Sequence, residues 1–284
     1  MYSYIVAFVA FLVLFYNPIS ELLSPATPQI RRTPRPQINF DLLAPEQDTA
    51  NGTSIQCPED SYSVHIFSRE PLVLYIEGFL RPEERAHLLE ISEPIFEPST
   101  VTHDAGSTAH RDAGVRDSEV ALVPRTAGVR CVEARARALQ GWRDEVWVER
   151  LRVQRYRPGG HYGHHFDWSS GRGGWGRVSS FMAWVDDGDG ALAGGGTEFP
   201  ALRGSGDPRW CRFVECPANS TREGDGGDDQ GGTVFKPLVG NAVYWENFRA
   251  DGTGSGYEET WHAGLPVVEG VKVGLNIWSW GRIE

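Results

Sequence analysis

Tyr156-Arg157-Pro158-Gly159-Gly160-His161-Tyr162-Gly163-His164-His165-Phe166-Asp167 sets a histidine and an aspartate two residues apart. On a strand, side chains at that spacing point to the same face, so the His165 imidazole and the Asp167 carboxylate can converge on one ion. Such a pair is common by chance. A second histidine would complete a donor set that leaves several metal positions open.

Eight histidines are present. His65, His87, His103 and His110 lie in the N-terminal portion, where a surface or structural role is the simpler account. His161 and His164 are out of register for a His-x-Asp pair. His262 is the only histidine far downstream, in Trp261-His262-Ala263-Gly264-Leu265-Pro266-Val267-Val268-Glu269-Gly270-Val271-Lys272. Lys272 falls in an apolar strand, where an ammonium needs a partner. Parity puts Lys272, Gly274, Asn276 and Trp278 on one face and Val273, Leu275 and Ile277 on the other. The first face is mixed polar and aromatic, as the interior of a ligand-holding barrel would be. Snorkelling of Lys272 at a strand end is the competing reading.

Around this region the texture is β. Leu151/Val153, Ser179-Phe181-Ala183-Val185, Ala242-Val243-Tyr244-Trp245 and Val271 to Trp280 read as strands separated by Gly-rich turns. Many short strands with such punctuation predict a jelly roll or barrel. Upstream, Pro71-Leu72-Val73-Leu74-Tyr75-Ile76 reads as a buried strand where order begins. A helix is expected after Leu80, with Pro82 in its first turn, Glu83 and Glu84 near its positive end, and Pro94 stopping it. Val129 to Gln140 is a second helix candidate. The fold class is therefore mainly β with supporting helices (α+β), with N-terminal helices packed on a jelly-roll core.

At 284 residues, with 40% hydrophobic content and 10 Trp, the chain has room for one sizeable domain plus appendages. A net charge of -11 argues against a nucleic-acid partner, which would call for a basic face. Residues 1–20 carry no charged side chain and read as a signal anchor or signal peptide, a buried core helix being the weakest of the three readings. Residues 21–68, rich in proline, read as a stem; residues 69–147 as an N-terminal support region; and residues 148–284 as the core. Arg31, Arg32 and Arg35 favour a cytosolic C-terminal side. The acceptor triplets at Asn51 and Asn219 and the closely spaced Cys211 and Cys216 favour the lumen. The expected location is the endoplasmic reticulum or secretory pathway, anchored through residues 1–20 and facing the lumen, or secreted if cleaved. Cys57 and Cys131 are available for a second bridge, although four cysteines allow three connectivities. The acidic, Gly-rich stretch Glu223 to Gly232 reads as an exposed loop whose spacing fits no EF-hand.

Four blocks in order carry a family resemblance. They are Tyr156-x-x-Gly159-x-x-Tyr162-x-x-His165-x-Asp167, then Gly194-Gly195-Gly196-Thr197-Glu198-Phe199-Pro200, then Pro237-x-x-Gly240-x-Ala242. The last is His262-x-Gly264-x-Pro266-Val267-x-x-Gly270-x-Lys272, followed by Trp278. In these blocks the chain resembles the prolyl 4-hydroxylase catalytic (alpha) subunits among the Fe(II)/2-oxoglutarate-dependent dioxygenases. Weaker similarity reaches back through Gly78-Phe79-Leu80 and Arg116-x-Ser118. Three departures stand out: Gly196 where glutamate is common, Trp184 where tyrosine is common, and Ser180 in place of threonine. The segment from Ala201 to Gly232 is also longer than in minimal members.

The resemblance implies a double-stranded β-helix core in which His165, Asp167 and His262 hold Fe(II). Lys272 would pair with the distal carboxylate of 2-oxoglutarate, helped by Tyr156 and Thr197. Tyr162 and Trp278 would face the substrate. The implied reaction hydroxylates peptidyl proline with O2, releasing succinate and CO2, with L-ascorbate as reductant and a proline-rich polypeptide as substrate. No obligate partner subunit is implied. Two alternatives remain: an oxygenase acting on a lysyl residue or small molecule, and a non-catalytic membrane-tethered binding protein. The latter would be expected to have lost a ligand or Lys272, and all are retained.

Overall fold

The computed structural model describes Phe11 and residues 33–44, 55–101, 110–170, 173–216 and 231–283. The rest of the N-terminal apolar segment, the Asn51 and Asn219 triplets, His103 and nearly all of the Glu223–Gly232 loop lie outside the described residues. In chain order come β1 (Ser63–Arg69), β2 (Leu72–Glu77), α1 (Pro82–Ser92), β3 (Glu97–Pro98), β4 (Arg116–Asp117), β5 (Glu119–Leu122) and α2 (Ala127–Leu139). There follow β6 (Val146–Val148), β7 (Arg152–Tyr156), β8 (His161–His165), β9 (Trp175–Asp186), β10 (Ala193–Gly194), β11 (Thr197–Arg203) and β12 (Gly232–Phe235). β13 (Ala242–Glu246), β14 (His262–Gly264), β15 (Val267–Glu269) and β16 (Lys272–Arg282) complete the chain.

All pairings are antiparallel. A larger sheet runs β1-β2-β13-β9-β16-β7-β5-β3, with β6 also on β16, and a smaller one runs β12-β11-β14-β8-β4. β10 and β15 pair separately. This is the two-sheet arrangement of a jelly roll.

The middle of the larger sheet is buried on both faces, which is why β9 is apolar without a break from Phe181 to Val185. Met182 and Trp184 turn toward the smaller sheet, packing with Phe199 and Phe235. Phe181, Ala183 and Val185 turn the other way, joining Leu275 and Ile277 of β16, Leu88 of α1 and Val129, Val132 and Ala136 of α2. Burying a side chain the size of Phe or Leu stabilises by roughly 1.5–3 kcal/mol, so these two layers supply most of the driving force.

Both expected helices form. The Arg81 backbone N–H donates to Glu84 Oε2 at 3.0 Å, capping α1. Thr126 Oγ1 accepts from the Val129 N–H at the start of α2. Order begins earlier than the sequence indicated: β1 precedes β2 as a hairpin, although its alternating side chains (Val64, Ile66) are exposed and give no core-facing stripe. Within the stretch read as a stem, Leu43 bridges to Glu149 and is buried, and Cys57 is disulfide-bonded to Cys131 of α2. Cys211 is bonded to Cys216. These tertiary anchors leave no periodic trace in a proline-rich sequence.

Arg135 of α2, with its side chain 3% exposed, ties the helices together. It donates to Phe79 O at 2.7 Å, to Glu84 at 2.7 and 2.8 Å, and to Asp60. Burial would raise the Glu84 pKa, but the Arg135 and Arg81 guanidinium groups more than offset it, lowering it to about 2. Because the folded pKa lies below its ordinary 4.5, Glu84 stabilises the fold above that pH, and the contribution fades as pH falls toward 2. Arg135→Met would strand the Glu84 carboxylate. The expected loss at neutral pH is about 3–5 kcal/mol of unfolding free energy in urea titrations, shrinking as the pH is lowered through 4.

Candidate active site

β8 and β14 pair with His165 directly opposite His262, and the two rings lie 4.3 Å apart. Asp167 falls just beyond the end of β8 rather than on the strand, because the chain leaves the ladder at Phe166. Its carboxylate still reaches both rings, 3.5 Å from His165 Nε2 and 3.9 Å from His262 Nε2. One ligand atom from each of the three residues lies within 4.8 Å of the others.

The tautomers are fixed by the backbone. His165 Nδ1 donates to Gly163 O at 2.8 Å and His262 Nδ1 to Thr260 O at 2.9 Å. Carbonyls only accept, so both Nδ1 atoms carry a proton and both Nε2 atoms are turned toward Asp167. Burial and the neighbouring His165 lower the His262 pKa to about 4. Asp167 is held well below the usual carboxylate range: burial opposes ionisation, but His262, His165 and Arg177 together outweigh it. Neutral imidazole and ionised carboxylate are the states in which each binds a metal. Phe199 stacks 5.3 Å from His262 and Trp245 meets it edge-on at 4.9 Å. Tyr162 stacks on His165 at 3.7 Å under the Arg116 guanidinium.

Further into the same cavity lies a polar end. Lys272 is 2% exposed, and its Nζ donates to Gly195 O at 2.6 Å. No carboxylate pairs with it among the described residues, and burial lowers its pKa to about 7. Thr197 Oγ1 and Gln154 Nε2 are buried without a hydrogen-bond partner. Tyr156 Oη donates to Gln154 Oε1 at 2.6 Å. Two imidazoles and one carboxylate with open positions suit Fe(II), and an unneutralised ammonium beside orphaned polar atoms suits the far carboxylate of a keto acid.

Residues 151–280 match the family model described as the 2OG-Fe(II) oxygenase superfamily. A probable prolyl 4-hydroxylase 10 of Arabidopsis thaliana is 29% identical over 228 residues, covering 76% of this chain and 71% of the relative. Prolyl 4-hydroxylase 5 of the same plant is 28% identical over 228 residues, covering 76% and 70%. Residues 151–280 thus carry a 2OG-Fe(II) oxygenase domain, and the chain is similar to prolyl 4-hydroxylases. The fold is likewise similar to a viral collagen prolyl hydroxylase from Paramecium Bursaria Chlorella virus-1, solved as a 2OG complex. The TM-score is 0.50 at 21% identity, covering 74% of this chain and 96% of that one.

In this dioxygenase, His165, Asp167, His262, Tyr156, Tyr162, Thr197 and Lys272 all border one cavity. Trp278 does not border it. The residue is 7% exposed, with the Arg177 guanidinium 4.0 Å and that of Arg152 5.3 Å from its ring centroid. Glu149 binds both arginines. His161 turns to the Gly159 and Gly114 carbonyls, and His164 faces Glu198 at 2.7 Å on the opposite side of β8 from the cavity. Gln154 and Met182 were not anticipated as lining residues. Strand parity with Tyr156 was the available signal for Gln154. At Gly196 a Cβ would fall 2.6 Å from Val234 Cγ1, so the missing side chain leaves no gap.

The pKa of Lys272 gives a signed pH dependence. In the free site it loses its proton near pH 7, and a bound carboxylate raises that value. Affinity for 2-oxoglutarate is therefore expected to be flat below pH 7 and to fall by about tenfold per pH unit above it. Calorimetric titrations in buffers of different ionisation enthalpy would show proton uptake on binding at pH 8 and none at pH 6.

Proposed function

We propose that this protein hydroxylates peptidyl proline, using Fe(II), 2-oxoglutarate and O2. The observation that carries the reading is one cavity holding both the two-histidine, one-aspartate cluster and a buried lysine without an anionic partner among the described residues. His165 and His262, with Nε2 already presented, and the ionised Asp167 would hold the iron. Bound iron, with 2-oxoglutarate and O2, supplies the oxidising chemistry that yields succinate and CO2 and places one oxygen atom on the substrate.

The chain's own part is binding and exclusion. Lys272 neutralises the far carboxylate of the keto acid in a site where burial makes that pairing strong, and Thr197 Oγ1 adds a hydrogen bond. Tyr156 packs beside the lysine, its ring 5.4 Å from Nζ. Phe199 and Trp245 close the apolar side and keep water from His262. Tyr162, fixed between Arg116 and His165, has both ring faces covered and offers its edge to the substrate side. Trp278 supports the substrate side through the Arg177 and Arg152 groups that it carries, in place of direct contact. A proline-rich polypeptide is the proposed substrate class, and L-ascorbate the proposed reductant for iron oxidised without turnover.

The proposed location is the secretory lumen, with residues 1–20 as anchor and the proline-rich stretch that follows leading into a catalytic unit to which Leu43, Cys57 and β1 already belong. The two disulfides support an oxidising compartment. Among the described residues no helix is long and apolar enough to cross a membrane; of residues 1–20, these include Phe11 alone.

The test offers proline-rich peptides to the full chain with Fe(II), 2-oxoglutarate and ascorbate. Mass spectrometry is expected to find one added oxygen on proline, absent with His165→Ala. Succinate with unmodified peptide would move the substrate to a lysyl residue or a small molecule. Neither product, with iron bound, would favour a non-catalytic binding protein. His262→Ala should weaken Fe(II) binding beyond the roughly 10–100-fold cost of changing groups that only orient a ligand, measured by equilibrium dialysis.

A further inference from the structure

We propose that Gln154 is a co-substrate-binding residue: its amide donates to the far carboxylate of the keto acid alongside Lys272. This rests on the 2-oxoglutarate reading above and assigns a donor that the sequence resemblance did not. In the β7–β16 pair, Tyr156 is opposite Lys272 and Gln154 is opposite Gly274. Gln154 and Lys272 are therefore diagonal neighbours on one face, close enough for long side chains to meet at one group. Gly274 contributes no side chain above the amide, and Met182 fills the adjoining space so closely that a Cβ there would lie 2.3 Å from its Cε.

Two observations point the amide at a ligand. Gln154 is 1% exposed and lines the cavity, yet its Nε2 has no partner among the described residues. A buried, unpaired amide nitrogen costs about 1–3 kcal/mol, which a ligand acceptor recovers. The other end of the amide is already committed, because Tyr156 Oη donates to Gln154 Oε1. Tyr156 has one hydroxyl proton, so it cannot also donate to the carboxylate while that bond stands. The tyrosine instead orients the glutamine, and the glutamine delivers the hydrogen bond. With Lys272 from β16, Thr197 from β11 and Gln154 from β7, three strands supply donors for the lone pairs of one carboxylate.

The test uses the full chain loaded with Mn(II) and no peptide, so that binding is read without turnover. 2-Oxoglutarate and 2-oxopentanoate, which lacks the far carboxylate, are titrated by calorimetry into wild type, Gln154→Met, Gln154→Glu and Tyr156→Phe. Gln154→Met is expected to weaken 2-oxoglutarate by about tenfold or more and to leave 2-oxopentanoate unchanged. Gln154→Glu, which sets carboxylate against carboxylate, should weaken 2-oxoglutarate further. Equal 2-oxoglutarate affinity in wild type and Gln154→Met would overturn the proposal, as would equal weakening of both acids, which marks a structural role. Loss of 2-oxoglutarate binding in Tyr156→Phe but not in Gln154→Met would return the donor role to the tyrosine and also overturn it. Should Gln154→Met not fold, Gln154→Asn, which withdraws the amide by one methylene, carries the same ratio test. Wild type that holds Mn(II) but binds no 2-oxoglutarate would sink the proposed function itself, an outcome distinct from all the others.

Discussion

The antiparallel register that sets His165 against His262 is the constraint on which the site depends. Because strand side chains alternate, slipping that pairing by one residue would turn a ligand to the outside of the sheet. The neighbours show what lies there: His164 and Trp261, adjacent to the two histidines, stack on each other's exposed side. Thr197 is held by the same sheet, paired with Gly264. One register thus aligns the metal donors with part of the co-substrate end.

The cavity brings opposite charges into an apolar interior and handles each differently. Asp167 is kept ionised by imidazoles and by Arg177, whereas among the described residues Lys272 has only a carbonyl and an aromatic face. Desolvation therefore costs the lysine more, and the difference is a standing preference for an anion at that end. Near the rim, Glu149, Arg152 and Arg177 enclose Trp278 in a charged stack. This fixes the tryptophan's position without opening it to the cavity.

Much of this was legible in the sequence. His-x-Asp, a distant histidine and a lysine in an apolar strand identified the cavity's two ends, and parity placed Lys272 and Asn276 together. Pro82 and the acidic first turn located α1. β1 escaped notice because it is an edge strand whose Val64 and Ile66 face outward, so no buried stripe announces it. Trp278 keeps the face that parity gave it, but it lies further along β16, where the Arg152 and Arg177 guanidinium groups cover its ring. Gln154 looked like any polar residue in a strand. Its meaning appears only when Tyr156 takes one end of the amide and leaves the other without a partner, which is a tertiary fact.

The packing at Gly196 bears on which mutational routes are open to this chain. Val234 is branched at Cβ and stiff about χ1, and its methyl occupies the space into which any side chain at position 196 would grow. A glutamate there, as in the motif's common form, requires Val234 to shrink first or at the same time. The two positions are coupled by contact: a larger residue at 196 must displace the Val234 side chain of β12.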